Sequence, residues 1–229
     1  MTSATVQPPV GPDTTAARIP RKRIGTFRLY YRRFVRNRPA VAGVFIFALL
    51  VLFAVFGPLV ARFSFSELDF LSLGTPPDGT HWFGTAADGG DLFAQTTVGL
   101  QRSLMIALTV SIGTTVISAV VGTAAAYFRG TTERIILLII HFLMVVPTFL
   151  ILSLVSSSAG GDWRVISLAM IFISWFVPAR VIWTLSLSLR EREYVHAARY
   201  MGVPGMTIVL RHLLPNIGSL LVINFTLGV

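Results

Sequence analysis

Cysteine is absent from the 229 residues, and lysine occurs once, as Lys22. The first absence removes disulfides, thiolate metal sites and cysteine nucleophiles. The second means that no G-x-x-x-x-G-K-[ST] phosphate loop can be written anywhere in the chain. If ATP drives this protein, another subunit must bind it. Charge is scarce as well: Asp, Glu, Lys and Arg make up 13% of the residues against 54% hydrophobic, where a soluble domain carries about a quarter charged. Asp and Glu are missing from every long apolar run. Catalytic constellations are missing too, with no HExxH, no G-x-S-x-G and no paired intramembrane carboxylates. The four histidines, at 81, 141, 196 and 212, are too far apart to indicate a metal site.

What is present is a series of membrane-length apolar segments. Pro39–Ala61 is 23 residues without a charge, enough to cross a hydrocarbon core of about 30 Å. A second uncharged run covers Ser103–Phe128 and a third Ile135–Gly161; a fourth begins at Val165 and is interrupted by Arg180; a fifth follows His212 to Val229. The fold class expected is an all-α polytopic helical bundle with five visible spans. Residues 63–98, rich in Gly, Pro and Asp, form an external loop, and about 188–212 a cytoplasmic one. Residues 1–20 are polar and proline-containing, and read as a disordered tail.

The stretch 21–38 is basic, with Phe27, Tyr30, Tyr31 and Phe34 at helical spacing. It reads as an interfacial helix with rings toward lipid, or as a plain positive flank to the first span. Arg32 and Arg33 have the form of a twin-arginine signal, but the run that follows is long and lacks a small-residue cleavage site.

The net charge of +9 borders apolar runs, which favours membrane orientation over nucleic-acid binding. Of the 19 Lys and Arg residues, all but Arg62, Arg102 and Arg164 fall on the side of the N-terminal arm. The positive-inside rule therefore places the N-terminus in the cytoplasm.

On that side, residues 188–216 read SLREREYVHAARYMGVPGMTIVLRHLLPN. Arg190 to Met201 suit a helix, Gly202 its C-cap, and Pro204 the first turn of the next helix. Pro215 falls where the fifth span begins and would kink it. A short helix with the small pair Ala197-Ala198 is either a docking element or an ordinary loop helix.

His196-Ala197-Ala198, Gly202 and Leu214-Pro215 match in spacing the E-A-A…G…L-P pattern of ABC importer permeases, with His196 at the usual Glu. His81-Trp82-Phe83-Gly84-Thr85, then Asp88, Gly89 and Asp91, resembles the H-W-F-G-T-D-x-x-G-R-D signature of dipeptide, oligopeptide and nickel permeases, with Ala86 and Gly90 as departures. Gly99, Arg102-Ser103-Leu104, Tyr127, Pro147, Ala179-Arg180 and Arg211-His212 sit as in that group, and His141 replaces an Asp found there. The chain thus resembles the translocation subunit of such an importer in a bacterial cytoplasmic (inner) membrane.

The resemblance implies a coupling helix docking in an ATPase groove through Ala197, Ala198 and Gly202, with Glu193, Tyr194, His196 and Arg199 around them. It implies as partners a homologous second permease, two ATPase subunits and an extracytoplasmic substrate-binding protein. ATP and Mg would sit on the ATPases, with no cofactor and no enzyme activity on this chain. It also implies a sixth span after Val229, and short peptides as cargo, with nickel or another small cargo as the alternative. A stand-alone secondary transporter or channel would couple through intramembrane acids or unwound helices; a membrane enzyme lacks a nucleophile.

Two ionisable residues lie inside apolar runs. Arg180 either snorkels to the cytoplasmic face or faces the pathway. His141 is either a hydrogen-bonded histidine between helices or a pathway residue.

Overall fold

The computed structural model describes residues 34–229. The tail at 1–20 and all of the basic stretch before Phe34 lie outside the described residues. Two compact units divide the chain, Met1–Ala48 and Leu49–Val229. In the first, the Asn37 carboxamide oxygen accepts from the Ala40 amide (3.5 Å) at the start of helix α1, Arg38–Val60. This helix is apolar around its whole circumference, as a helix facing lipid or other spans must be. Its bounds agree with the first expected span to one residue at each end.

The second unit is organised on α2, Leu92–Phe128. At 37 residues it runs about 55 Å at 1.5 Å per residue. It starts eleven residues before the apolar run, inside the segment expected to be loop. The cause is the Asp91 cap, whose carboxylate accepts from the Ala94 amide at 2.7 Å. The polar residues of the first turns, Gln95, Thr96, Gln101 and Arg102, hide this start from a search for apolar runs.

A turn at Arg129 leads to α3, Gly130–Val145, and then α4, Thr148–Ser158. The expected third span is thus a broken one, bent by 74°. Pro147 forces the break, because its ring drives Val146 out of the helical region, to ψ 129. Helices α5, Trp163–Ser174, and α6, Phe176–Arg190, make one 28-residue path. Pro178, lacking an N–H, accounts for the interruption at Trp175.

Short α7, Glu193–Tyr200, precedes α8, Gly205–Ile208. The chain then widens into a π turn at Val209–Leu213 before α9, Leu214–Asn216, and α10, Gly218–Gly228. The kink expected at Pro215 is present as a 71° bend between Asn216 and Gly218. Pro215 would clash with the carbonyl of Arg211 in a regular helix, and the π turn relieves that clash. The Asn216 side-chain amide donates to the His212 carbonyl at 2.6 Å. Three helices are long and apolar enough to cross a membrane, or five if each bent pair is one span. The protein is a multi-pass membrane protein, and among the described residues it contains no strand.

The second unit packs on small residues, as membrane helix pairs do. Ser118, Ala119, Gly122, Thr123, Ala125 and Ala126 of α2 are buried, with Ala179, Ile182 and Ser186 of α6 likewise. A Cβ on Gly122 would lie 2.6 Å from the Ala179 carbonyl oxygen and 2.9 Å from the Ile182 side chain. Absence of a side chain there sets how closely the two helices approach.

Candidate functional site

Sequence-marked residues gather at three levels. At one end of the second unit, where α2 and α6 stop and α3 begins, the Arg190 guanidinium donates to the Ala126 carbonyl (2.5 Å) and to Glu191 Oε1 (2.9 Å). Glu191 also faces Arg129 at 3.9 Å and His196 Nε2 at 3.6 Å. The Arg190 hydrogen bond, above all, holds the Glu191 carboxyl below its ordinary range. Nearby, Trp183 Nε1 donates to Glu133 Oε1 at 2.9 Å, tying α6 to the first turn of α3.

Helix α7 stands on this base. Its apolar side, Val195 and Ala198, is buried against Ile208, Val209 and Leu213. Glu193, Tyr194, His196, Ala197 and Arg199 are exposed, and Tyr200 and Met201 are 89% and 75% exposed. Of the two alanines, then, Ala198 faces the chain's own core and Ala197 faces out. Gly202 closes the helix at φ +76, with the Val203 amide on the Ala198 carbonyl (3.2 Å) and the Gly202 amide on that of Arg199 (3.0 Å). That left-handed residue is the position a glycine cap fills. Pro204 then starts α8. A cleft of about 530 Å³ opens beside α7, lined by Leu189, Glu191, Arg192, Glu193, Tyr194 and Asn216.

Residues 61–91 form a hydrogen-bonded knot at the start of α2. Backbone bonds Asp69–Gly89 (2.9 Å), Thr85–Thr75 (3.0 Å) and Leu92–Gly84 (3.1 Å) close it. His81 is its centre and 2% exposed, with Nδ1 2.8 Å from Asp91 Oδ2, Nε2 3.5 Å from Asp69 Oδ2, and the ring stacked on Phe63 at 4.5 Å. Asp78 accepts from the His81 and Thr80 amides. The Asp91 hydrogen bond, against the cost of burial, raises the His81 pKa, while amide and His81 contacts lower those of Asp69 and Asp78.

Gly84 sits at φ +76, and Thr85 is buried with its hydroxyl on the Ser72 carbonyl. Trp82 and Phe83 are partly exposed and meet Phe93 edge-on. Asp88 is exposed and accepts only locally, from the Gly90 amide at 3.1 Å. The signature residues are therefore brought together, Asp88 at their margin. Asp69, Phe63, Arg190, Glu191 and the Trp183–Glu133 pair complete these sites without having been singled out in the sequence. Apart from the adjacent Arg190 and Glu191 and nearby His196, their partners lie at separations that no local spacing reveals, 64 residues for Arg190 and Ala126 and 50 for Trp183 and Glu133.

At the third level are Arg180 and His141, both exposed. His141 lies one turn from Met144, whose sulfur is 3.7 Å from Arg180 Nη1.

Residues 118–229 match the family described as binding-protein-dependent transport system inner membrane component. Residues 25–77 match the N-terminal TM domain of oligopeptide transport permease C. The oligopeptide transport system permease protein OppC of Mycobacterium tuberculosis is 38% identical over 203 residues, 88% of this chain and 70% of the relative. OppC of Bacillus subtilis is 29% identical over 214 residues, 93% and 70% of the two chains. The dipeptide transport system permease protein DppC of the same organism is 30% identical over 199 residues, 87% and 62%.

Proposed function

The chain belongs to the binding-protein-dependent transport system inner membrane component family, alongside oligopeptide and dipeptide permeases, and from that premise we propose that it is the membrane-spanning translocation subunit of an ATP-driven importer of short peptides. The observation that carries the reading is the outer face of α7. Ala197 is flanked at i±3 and i±4 by Glu193, Tyr194, Tyr200 and Met201, all exposed. A short residue ringed by larger exposed ones is a socket for a partner's side chain, and exposed aromatic and Met surface marks an interaction site. Val195 and Ala198 fix the helix from beneath, and Gly202 ends it in a defined turn.

In this reading the α7 end is cytoplasmic and two ATPase subunits, carrying ATP and Mg, grip α7 of this chain and the matching helix of a second, homologous permease. Closing of the ATPases draws the two coupling helices together and opens the passage toward an external binding protein; reopening returns it. ATP favours one state only in so far as the ATPases contact α7 differently in the two. His196, at the position of the family's glutamate, pairs within this chain with Glu191. Residues His81 to Asp91 cap the opposite, external end. Peptide cargo is supported by the names of the relatives.

The test is Ala197→Trp in the assembled complex. The outward side chain leaves the fold and insertion intact, so ATP-dependent peptide uptake and co-purification of the ATPases are expected to fall at least tenfold. Wild-type uptake in that variant refutes the coupling assignment.

A further inference from the structure

Between Arg164 and Arg190 the α5–α6 path carries one ionisable side chain, Arg180. Among the described residues it forms no ion pair, and its one side-chain partner is the Met144 thioether, a weak and uncharged acceptor. Arg180 stands ten residues from Arg190, about 15 Å at 1.5 Å per residue, and about 25 Å from Trp163. Helical side chains lean toward their own N-terminus. This one does so, reaching Met144, about 21 Å along α3 from Gly130. Arg129, just before α3, faces Glu191, just after α6, at 3.9 Å, so α3 begins where α6 ends. The guanidinium thus points into the middle depth of the bundle and away from the α7 end, the opposite of snorkelling toward it.

Met144 is in the last turn before the 74° break at Val146 and Pro147. Helix breaks at membrane depth occur where they border protein or a water-filled cavity. Thr184 and Ser188 continue from Arg180 at i+4 and i+8 as an exposed polar line. We propose that this line is a wall of the passage and that Arg180 receives the carboxylate of a peptide in transit, its C-terminus or an acidic side chain. The proposal rests on the reading of the chain as a peptide-translocating subunit. A guanidinium fork fits a carboxylate in bidentate geometry, and a charge held at this depth calls for such a use.

The complete complex, reconstituted in proteoliposomes with one binding protein throughout, is assayed for ATP-dependent uptake of a tripeptide acid. Arg180→Gln is expected to raise the peptide concentration for half-maximal uptake at least tenfold, and Arg180→Lys to recover most of it. In the cysteine-free chain, Thr184→Cys is expected to react with a water-soluble thiol reagent at least tenfold faster than Phe45→Cys of α1. Saturating peptide should slow that reaction, and should fail to do so when Arg180→Gln is added. Unchanged uptake by Arg180→Gln, or Thr184→Cys no more reactive than Phe45→Cys, overturns the inference and leaves the translocation reading standing. Loss of the partner permease from the purified Arg180→Gln complex also overturns it, by assigning the arginine to a partner's carboxylate. A wild-type complex that takes up no peptide overturns both.

Discussion

His81 is held between the Asp69 and Asp91 carboxylates, and its own pH response runs opposite to that of Asp69 and Asp78. Its pKa is raised from 6.5 and those of Asp69 and Asp78 are lowered from 3.8. A raised His pKa gives stability that is complete below 6.5 and disappears as pH rises through the folded value. Depressed Asp values give stability present above 3.8 and lost as pH falls through the folded ones. The knot at 61–91 is therefore most stable in mildly acidic conditions. Amide hydrogen exchange across these residues, corrected for intrinsic rates, should show maximal protection near pH 5 to 6 and less at both pH 8 and pH 3. His81→Gln should remove the alkaline loss. The motif itself was legible, since His81 to Asp91 stand consecutively in the sequence. What the motif does was not, because Asp69 and Phe63 reach His81 from outside it.

At the level of elements, close approach governs. Gly122 lies against the Ala179 backbone of α6, and a branched side chain has no room to enter. Gly122→Val is expected to destabilise the subunit by about 1–3 kcal/mol through overpacking, read as a lower thermal midpoint in detergent. Gly99, inside α2 and exposed with open space around its Cα, is the control: Gly99→Ala should not lower the midpoint and should raise it slightly, since alanine favours a helix interior. Gly122 and Ala126 stand four apart in the sequence, but a small residue announces that something can approach and not what does. Helix bounds were legible where a span is uniformly apolar, as in α1. They were missed where a polar cap starts the helix, as Asp91 does for α2, and where one proline splits an apolar run, as Pro147 does between α3 and α4.

At the scale of the whole second unit there are two polar ends, the knot around His81 and the cluster around Glu191, separated by apolar helices. In the proposed orientation, Thr80→Cys should react with an impermeant thiol reagent added outside intact cells, and Arg192→Cys only after the membrane is opened. Both residues are exposed, and no native thiol competes within this subunit. Labelling of both from the same side would refute the orientation that the arginine distribution predicts.

Helix α7 is bolted by Val195 and Ala198 to Ile208, Val209 and Leu213, and that segment continues to Asn216 before turning through 71° into α10. The assembly has the form of a bell crank, with α7 as the handle, Ile217 as the pivot and α10 as the far arm. If α7 is the coupling helix proposed above, a push on this handle is expected to emerge at the far arm turned through the 71° of that bend. That arm meets the rest of the bundle at Ser111 of α2, whose hydroxyl donates to the Phe225 carbonyl at 2.9 Å, and at Ala119 and Ile182, against which Leu220 and Leu221 pack, so a stroke proposed to start at α7 would be delivered to α2 and α6.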